Sequence, residues 1–320
     1  MRPACFSCRG YTLVELLVVT GLSALLMVAM LQAYLSGKSV LRWQSASARL
    51  DVDGLRALDI LTRDIRMSGF FGGAEAARIV VPDDAPDCGS RRRWALTPAR
   101  LGHIGAGRHP GADNHFGCLP LAALDDRSDI LAIKRVAGGP TWGPGSEWRG
   151  RRPESTQWYL GVDDYARGRF LWVGDGVPRS PEEVDRVSYW AVRARIYYIR
   201  RYSVSPADRI PTLCVERLMG RGLRSECLVE GVEGMRFEFA LDADGDGFAD
   251  RLTSDPTADD LANTTHEMVY LLMRSLESPG AVQGPVETRL GPGALPVTDD
   301  GFLRRGFSAT VPVMNRPGGV

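Results

Sequence analysis

The sequence predicts an α+β chain: one long N-terminal helix, membrane-spanning in its first part, packed on a mainly antiparallel β-sheet domain. Three observations carry this expectation. Residues 11–35 read YTLVELLVVTGLSALLMVAMLQAYL, apolar with one exception. A helical period continues past them to about residue 68. Most of the remaining chain consists of short alternating runs separated by Gly, Pro and Asp.

The apolar segment comes first. Twenty-five helical residues at about 1.5 Å each cross a bilayer core of roughly 30 Å. An ordinary secretory signal is shorter and is cut after its apolar region. Here the glycine-containing junction, Arg9-Gly10-Tyr11, precedes the apolar stretch. A cut after Gly10 removes residues 1–10 as a leader and keeps the helix. The exception within the helix is Glu15. A carboxylate at the centre of a bilayer costs on the order of 3 kcal/mol, less near the interface, so it marks a functional position. Cleavage would create a natural partner, the new α-amino group of Tyr11. Glu15 lies too near its own terminus to bridge it easily, and is well placed for a neighbour's. The bland alternative is a tolerated interfacial glutamate.

Gly10-Tyr11-Thr12-Leu13-Val14-Glu15-Leu16 resembles the class III signal of type IV prepilins, G–F-T-L-x-E-L. The resemblance implies a pilin-like fold, cleavage after Gly10 by a prepilin peptidase, N-methylation of Tyr11, and Glu15 as the assembly acid. Tyr11 replaces the usual Phe. No proline interrupts the membrane helix, and Gly21 is its weak point.

Beyond the membrane, Leu55, Leu58, Leu61 and Ile65 form an apolar stripe, with Asp53, Arg56, Asp59 and Arg63 on other faces. Asp59 and Arg63 have the favourable i,i+4 spacing. Gly69, Gly72 and Gly73 are expected to end the helix. The run from Leu58 to Gly72 resembles the helix end of PilW-type minor pilins, a leucine-rich stretch leading into R-D-[IL]-R-M-[SA]-G-[FY]-x-G. The expected organisation is leader 1–10, transmembrane helix 11–35, periplasmic continuation 36–68 and a β-rich periplasmic domain 69–320.

Strand signals fall at Asp129–Val136, Thr156–Val162, Arg169–Val173, Val187–Arg200, Met235–Leu241 and His266–Leu276. Leu213–Leu218 and Glu226–Val229 read as a hairpin, and Phe307–Val313 as an edge strand. Residues 74–128 read as loop.

Six cysteines are present, and Cys5 and Cys8 precede the cut. The remaining Cys88, Cys118, Cys214 and Cys227 suit an exported domain. Four cysteines allow three connectivities. Cys88–Cys118 and Cys214–Cys227 are favoured because each closes a local loop; free buried thiols are the alternative. Arg2 and Arg9 on one side of the helix, and Lys38, Arg42 and Arg49 on the other, leave orientation by charge ambiguous. The cleavage motif and the cysteines place the domain in the periplasm.

Asp242-Ala243-Asp244-Gly245-Asp246-Gly247-Phe248-Ala249-Asp250 matches the front of an EF-hand-type loop. Asp242, Asp244, Asp246 and Asp250 stand at positions 1, 3, 5 and 9, and Phe248 would offer its carbonyl at 7. The glutamate expected at position 12 is replaced by Thr253. Calcium is the candidate cofactor; an acidic turn without metal is the alternative. PilW-like proteins carry a similar stretch, followed by a strand ending L-L-x-R-S, here Leu271 to Ser275.

Other motifs are weaker. Arg91, Arg92 and Arg93 read as a solvated turn. His103, His109, His115 and Cys118 fit no zinc spacing. The leaderless chain carries 37 basic and 39 acidic residues, net −2, which gives no reason to expect nucleic-acid binding. No nucleophile–base set or phosphate loop is present, so no enzyme is expected. The resemblance implies a minor pilin acting in type IV pilus initiation and assembly. Its implied partners are prepilin peptidase, other minor and major pilins, a large tip-associated protein and the inner membrane. A minor pseudopilin of a type II secretion system and a pilus-displayed adhesive domain are the alternatives.

Overall fold

The computed structural model describes residues 11–83, 85–86, 88, 94–97, 101–105, 116–143, 154, 156–172, 186–278, 289–291, 293–294 and 300–315. The leader with Gly10, the Arg91–Arg93 run, His109 and His115 lie outside them.

One helix, α1 (Leu13–Arg66), runs unbroken for 54 residues, about 81 Å. Thr12 caps it, its hydroxyl accepting the Glu15 N–H at 3.2 Å. The helix thus starts two residues later than expected, because Thr12 is the cap rather than part of the first turn. It ends at Arg66, and Gly69, Gly72 and Gly73 follow with positive φ. Every residue from Tyr11 to Ser45 is exposed. The buried face is Leu50, Gly54, Ala57, Leu61, Asp64 and Ile65. The expected stripe is therefore half right. Leu61 and Ile65 dock, but Leu55 is 60% exposed and Leu58 only half-buried. The docking face is built from smaller residues that let the sheet come close.

The strands run in order: β1 (Ile79–Val80), β2 (Leu101–Ile104), β3 (Ile130–Val136), β4 (Trp158–Asp163), β5 (Gly168–Trp172), β6 (Val187–Arg200), β7 (Thr212–Met219), β8 (Gly222–Glu230), β9 (Val232–Leu241), β10 (Arg251–Thr253). A short helix, α2 (Ala258–Ala262), precedes β11 (Thr264–Arg274), β12 (Arg289–Leu290), β13 (Gly293–Ala294) and β14 (Arg304–Pro312). Two main sheets result. The larger has the order β1-β5-β4-β6-β3-β2, with β7 also on β6 and β8 on β7. The smaller is β10-β9-β11-β14. Among the described residues every strand pairing is antiparallel except β1 with β5. The expected α+β architecture is present. The loop reading of 74–128 needs amendment, since β1 and β2 form there.

β6 shows how alternation places residues. Ala194, Ile196 and Tyr198 enter a core with Cys88, Trp94 and Phe116. Tyr197 and Ile199 enter a second core with Leu61, Ile65, Phe237 and Phe239. The strand is thus buried on both faces, with α1 covering one.

Two of the closely packed glycines shape the fold. A Cβ on Gly54 would stand 2.4 Å from the Phe307 ring, so glycine lets β14 seat against α1. Gly231 turns the chain from the larger sheet into the smaller at φ 79°, and a Cβ there would meet the Arg274 carbonyl at 2.6 Å.

Both favoured disulfides are formed. Cys88–Cys118 closes 30 residues and Cys214–Cys227 closes 13 across the β7–β8 hairpin. Loops of these lengths contribute roughly 3–4 kcal/mol each in a chain-entropy account.

Candidate functional site

Three places carry the chemistry: the exposed helix, its buried lock on the sheet, and the acidic loop.

The N-terminal half of α1 is long and apolar enough to cross a membrane. Its side chains, among them Leu13, Leu17, Leu25 and Met30, are exposed with no cover from the domain. Glu15 stands in the first turn, where the helix N-terminus favours an acid. Thr20 folds its hydroxyl onto the Leu16 and Leu17 carbonyls, both at 3.0 Å, and so needs no outside partner. Glu15 is then the remaining charged side chain between Tyr11 and Leu35.

At the other end of α1 lies a group the sequence reading missed. Asp64 is 1% exposed. Its Oδ1 accepts from Arg135 Nε at 3.0 Å and Nη2 at 2.6 Å. Its Oδ2 accepts from Arg195 Nη1 at 2.7 Å and the Tyr197 hydroxyl at 2.6 Å. Arg135 also gives Nη1 to its neighbour's carbonyl on Val136, at 3.0 Å. One carboxylate therefore ties the helix to β3 and β6. Burial alone would raise its pKa, but the Arg195 and Arg135 guanidiniums and the Tyr197 hydrogen bond together hold it below the usual value. Burial and the adjacent Asp64 charge push the Tyr197 hydroxyl up. A sequence signal for this site exists. Position 64 continues the 50-54-57-61 spacing of the docking face, and an acid in the last turn opposes the helix dipole. An aspartate wrong on both counts points to a buried cationic partner.

The acidic loop comes directly after β9. Asp242, Asp244 and Asp250 bring carboxylate oxygens within 4.8 Å of one another. Asp242 is buried, and its two oxygens accept the N–H groups of Gly245 (2.7 Å) and Gly247 (2.9 Å). Asp250 accepts from the Ala243 N–H at 2.7 Å, closing the loop. Asp246 lies outside this group, its carboxylate accepting the Phe248 N–H at 2.8 Å. Phe248 is exposed at the tip. His103 belongs to no such cluster among the described residues. It is buried against Phe237 and Phe239, with Nε2 3.2 Å from Asp129.

Comparison with known proteins agrees with these features. Residues 196–315, from within β6 to just past β14, match the family model described as Type IV Pilus-assembly protein W. Residues 5–31 match the prokaryotic N-terminal methylation motif. No curated protein matches. Among solved structures, the chain is similar to a type IV-like pilin from Thermus thermophilus. The two are 12% identical, with 84% of this chain and 97% of that one covered and a TM-score of 0.37. The methylation motif thus stands at the head of the exposed apolar helix, and the region similar to Type IV Pilus-assembly protein W runs from β6 past β14.

Proposed function

We propose that this protein is a minor pilin that helps initiate and assemble a type IV pilus. The observation that carries the reading is the junction at Gly10-Tyr11 set before an apolar helix whose charged exception is Glu15. Prepilin peptidase removes residues 1–10, and the amine of Tyr11 is methylated. The helix holds the subunit as a single pass in the inner membrane with the sheet domain in the periplasm. Tyr11 and Tyr34 bracket about 35 Å of helix, the spacing of two interfacial aromatic belts. Assembly pairs Glu15 with the N-terminal amine of an adjacent subunit as the helices pack. Partners are other minor and major pilins and a large tip-associated protein. The match over 196–315 favours pilus assembly over the secretion-system alternative. The role is structural rather than enzymatic.

Mass spectrometry of the purified protein is expected to find an N-methylated Tyr11 as first residue, and deletion of the gene to remove surface pili. An N-terminus at Met1, or a deletion strain with normal piliation and twitching, overturns the reading.

The acidic loop is proposed to bind calcium as a brace. The oxygens of one calcium shell, each about 2.4 Å from the ion, lie up to about 4.8 Å apart, and carboxylate oxygens of Asp242, Asp244 and Asp250 fall within that limit. A bound ion would fix the turn between β9 and β10. Calcium at a hundredfold excess over its dissociation constant is expected to add about 2.7 kcal/mol to unfolding of the full chain in detergent. Asp244→Ala should abolish that gain. Calorimetry that finds no calcium effect in the unaltered protein removes the site.

A further inference from the structure

Two long strands lie at sheet edges among the described residues, and they are guarded differently. β8 exposes Arg224 and Glu226, and its pairing with β7 is interrupted at Leu213/Cys214. Charges and bulges of this kind turn away a further strand. β14 has no such bulge, and its charges stand only at its start. It pairs with β11 in unbroken register, from Arg304 opposite Arg274 to Pro312 opposite His266. From Gly306 to Val311 it carries no charge and no proline. The two arginines at its start are neutralised from inside the molecule, Arg304 by Glu233 and Asp300, Arg305 by Asp51.

The register also fixes which backbone groups point away. The Thr265 carbonyl accepts the Val313 N–H, and the Leu303 carbonyl accepts the Ser275 N–H, each at 2.8 Å. Antiparallel alternation then turns residues 305, 307, 309 and 311 toward β11. The N–H and C=O groups of Gly306, Ser308 and Thr310 face outward. All three residues are exposed.

We propose that the outer edge of β14 is a strand-acceptor site for an extended segment of another subunit of the same fibre. The segment would add a fifth strand to the β10-β9-β11-β14 sheet. An extended backbone is the partner whose donors and acceptors recur at the two-residue spacing of this edge, about 6.8 Å. Position identifies the source. β14 is the strand on which α1 rests: Phe307 fills the space left by Gly54, and Asp51 and Ser47 hold Arg305. A strand added here lies beside the helix through which the subunit assembles. The inference rests on the pilus reading above.

Ser308→Pro tests it, since the ring removes an outward N–H that the sheet does not use. Thr310→Pro is the second variant, and Ser308→Ala keeps the N–H as a control. In a deletion strain, the alanine variant is expected to restore pili. The proline variants should restore at most a tenth as many, while thermal melting in detergent and disulfide formation stay as in the unaltered protein. Independently, hydrogen exchange on the unaltered full chain should find the Gly306, Ser308 and Thr310 amides fast when alone. They should be protected at least tenfold when it is co-purified with its co-expressed pilin subunits. Full piliation by a folded proline variant, or unchanged exchange in the complex, overturns the site. Normal pili in the deletion strain itself would instead refute the pilus reading, and the exchange measurement still decides the edge.

Discussion

Asp64→Ala is expected to cost the protein about 3–5 kcal/mol, the range for removing one partner of a buried ion pair. The loss is large because Arg135 stays buried and Arg195 half-buried once the carboxylate has gone. Arg135, which lies deeper than Arg195, is then left as a buried charge without its carboxylate. Asp64→Asn keeps the shape and two lone pairs, so it should cost less. Urea unfolding of the full chain in detergent measures both. The pH dependence is a second check. The folded pKa of Asp64 lies below its ordinary 3.8. Its contribution is therefore present above pH 3.8 and lost as pH falls through the lower folded value. Asp64→Asn should flatten that part of the acid limb. An Asp64→Ala protein within 1 kcal/mol of the unaltered one would show that the network does not fasten the helix.

Glu15→Ala is expected to leave the subunit in the membrane and out of the fibre. Removing a carboxylate from an apolar helix relieves up to roughly 3 kcal/mol of insertion cost, so membrane retention should be as good or better. Cleavage after Gly10 should proceed, because the junction is unchanged. What is lost is the proposed partner of the neighbour's amine. Immunoblots of sheared pili and of membranes are expected to find at least a tenfold drop in the pilus fraction, with the processed form accumulating in the membrane. Glu15→Asp should recover part of the loss. Equal incorporation of the alanine variant would remove the proposed charge pairing.

Much of the fold was legible because the relevant signals are local. A cap, an apolar run and a 3.6-residue period define α1 from its own residues. β6 occupies Val187–Arg200, as its alternation predicts, because one face of each pleat seeks the core whatever covers it. The Cys214–Cys227 bond followed from the hairpin, since two facing strands place those residues opposite each other. The Leu55 expectation failed for a physical reason. Hydrophobicity alone marks leucine as inward, but the sheet approaches the side of α1 that bears Gly54 and Ala57, where backbones can come closest.

The sequence by itself determined that a glycine junction precedes an apolar helical segment, that this segment carries one acid, Glu15, and that a sheet domain with four cysteines comes after it. Each of these is a statement about neighbours along the chain. Tertiary structure alone decided that the sheet splits in two at Gly231, that Asp64 meets residues 71 and 131 positions away, and that β14 is the last strand of its sheet among the described residues. Those outcomes depend on which distant segments pack together. A buried charge or an unpaired edge acquires its meaning only from what lies across the gap.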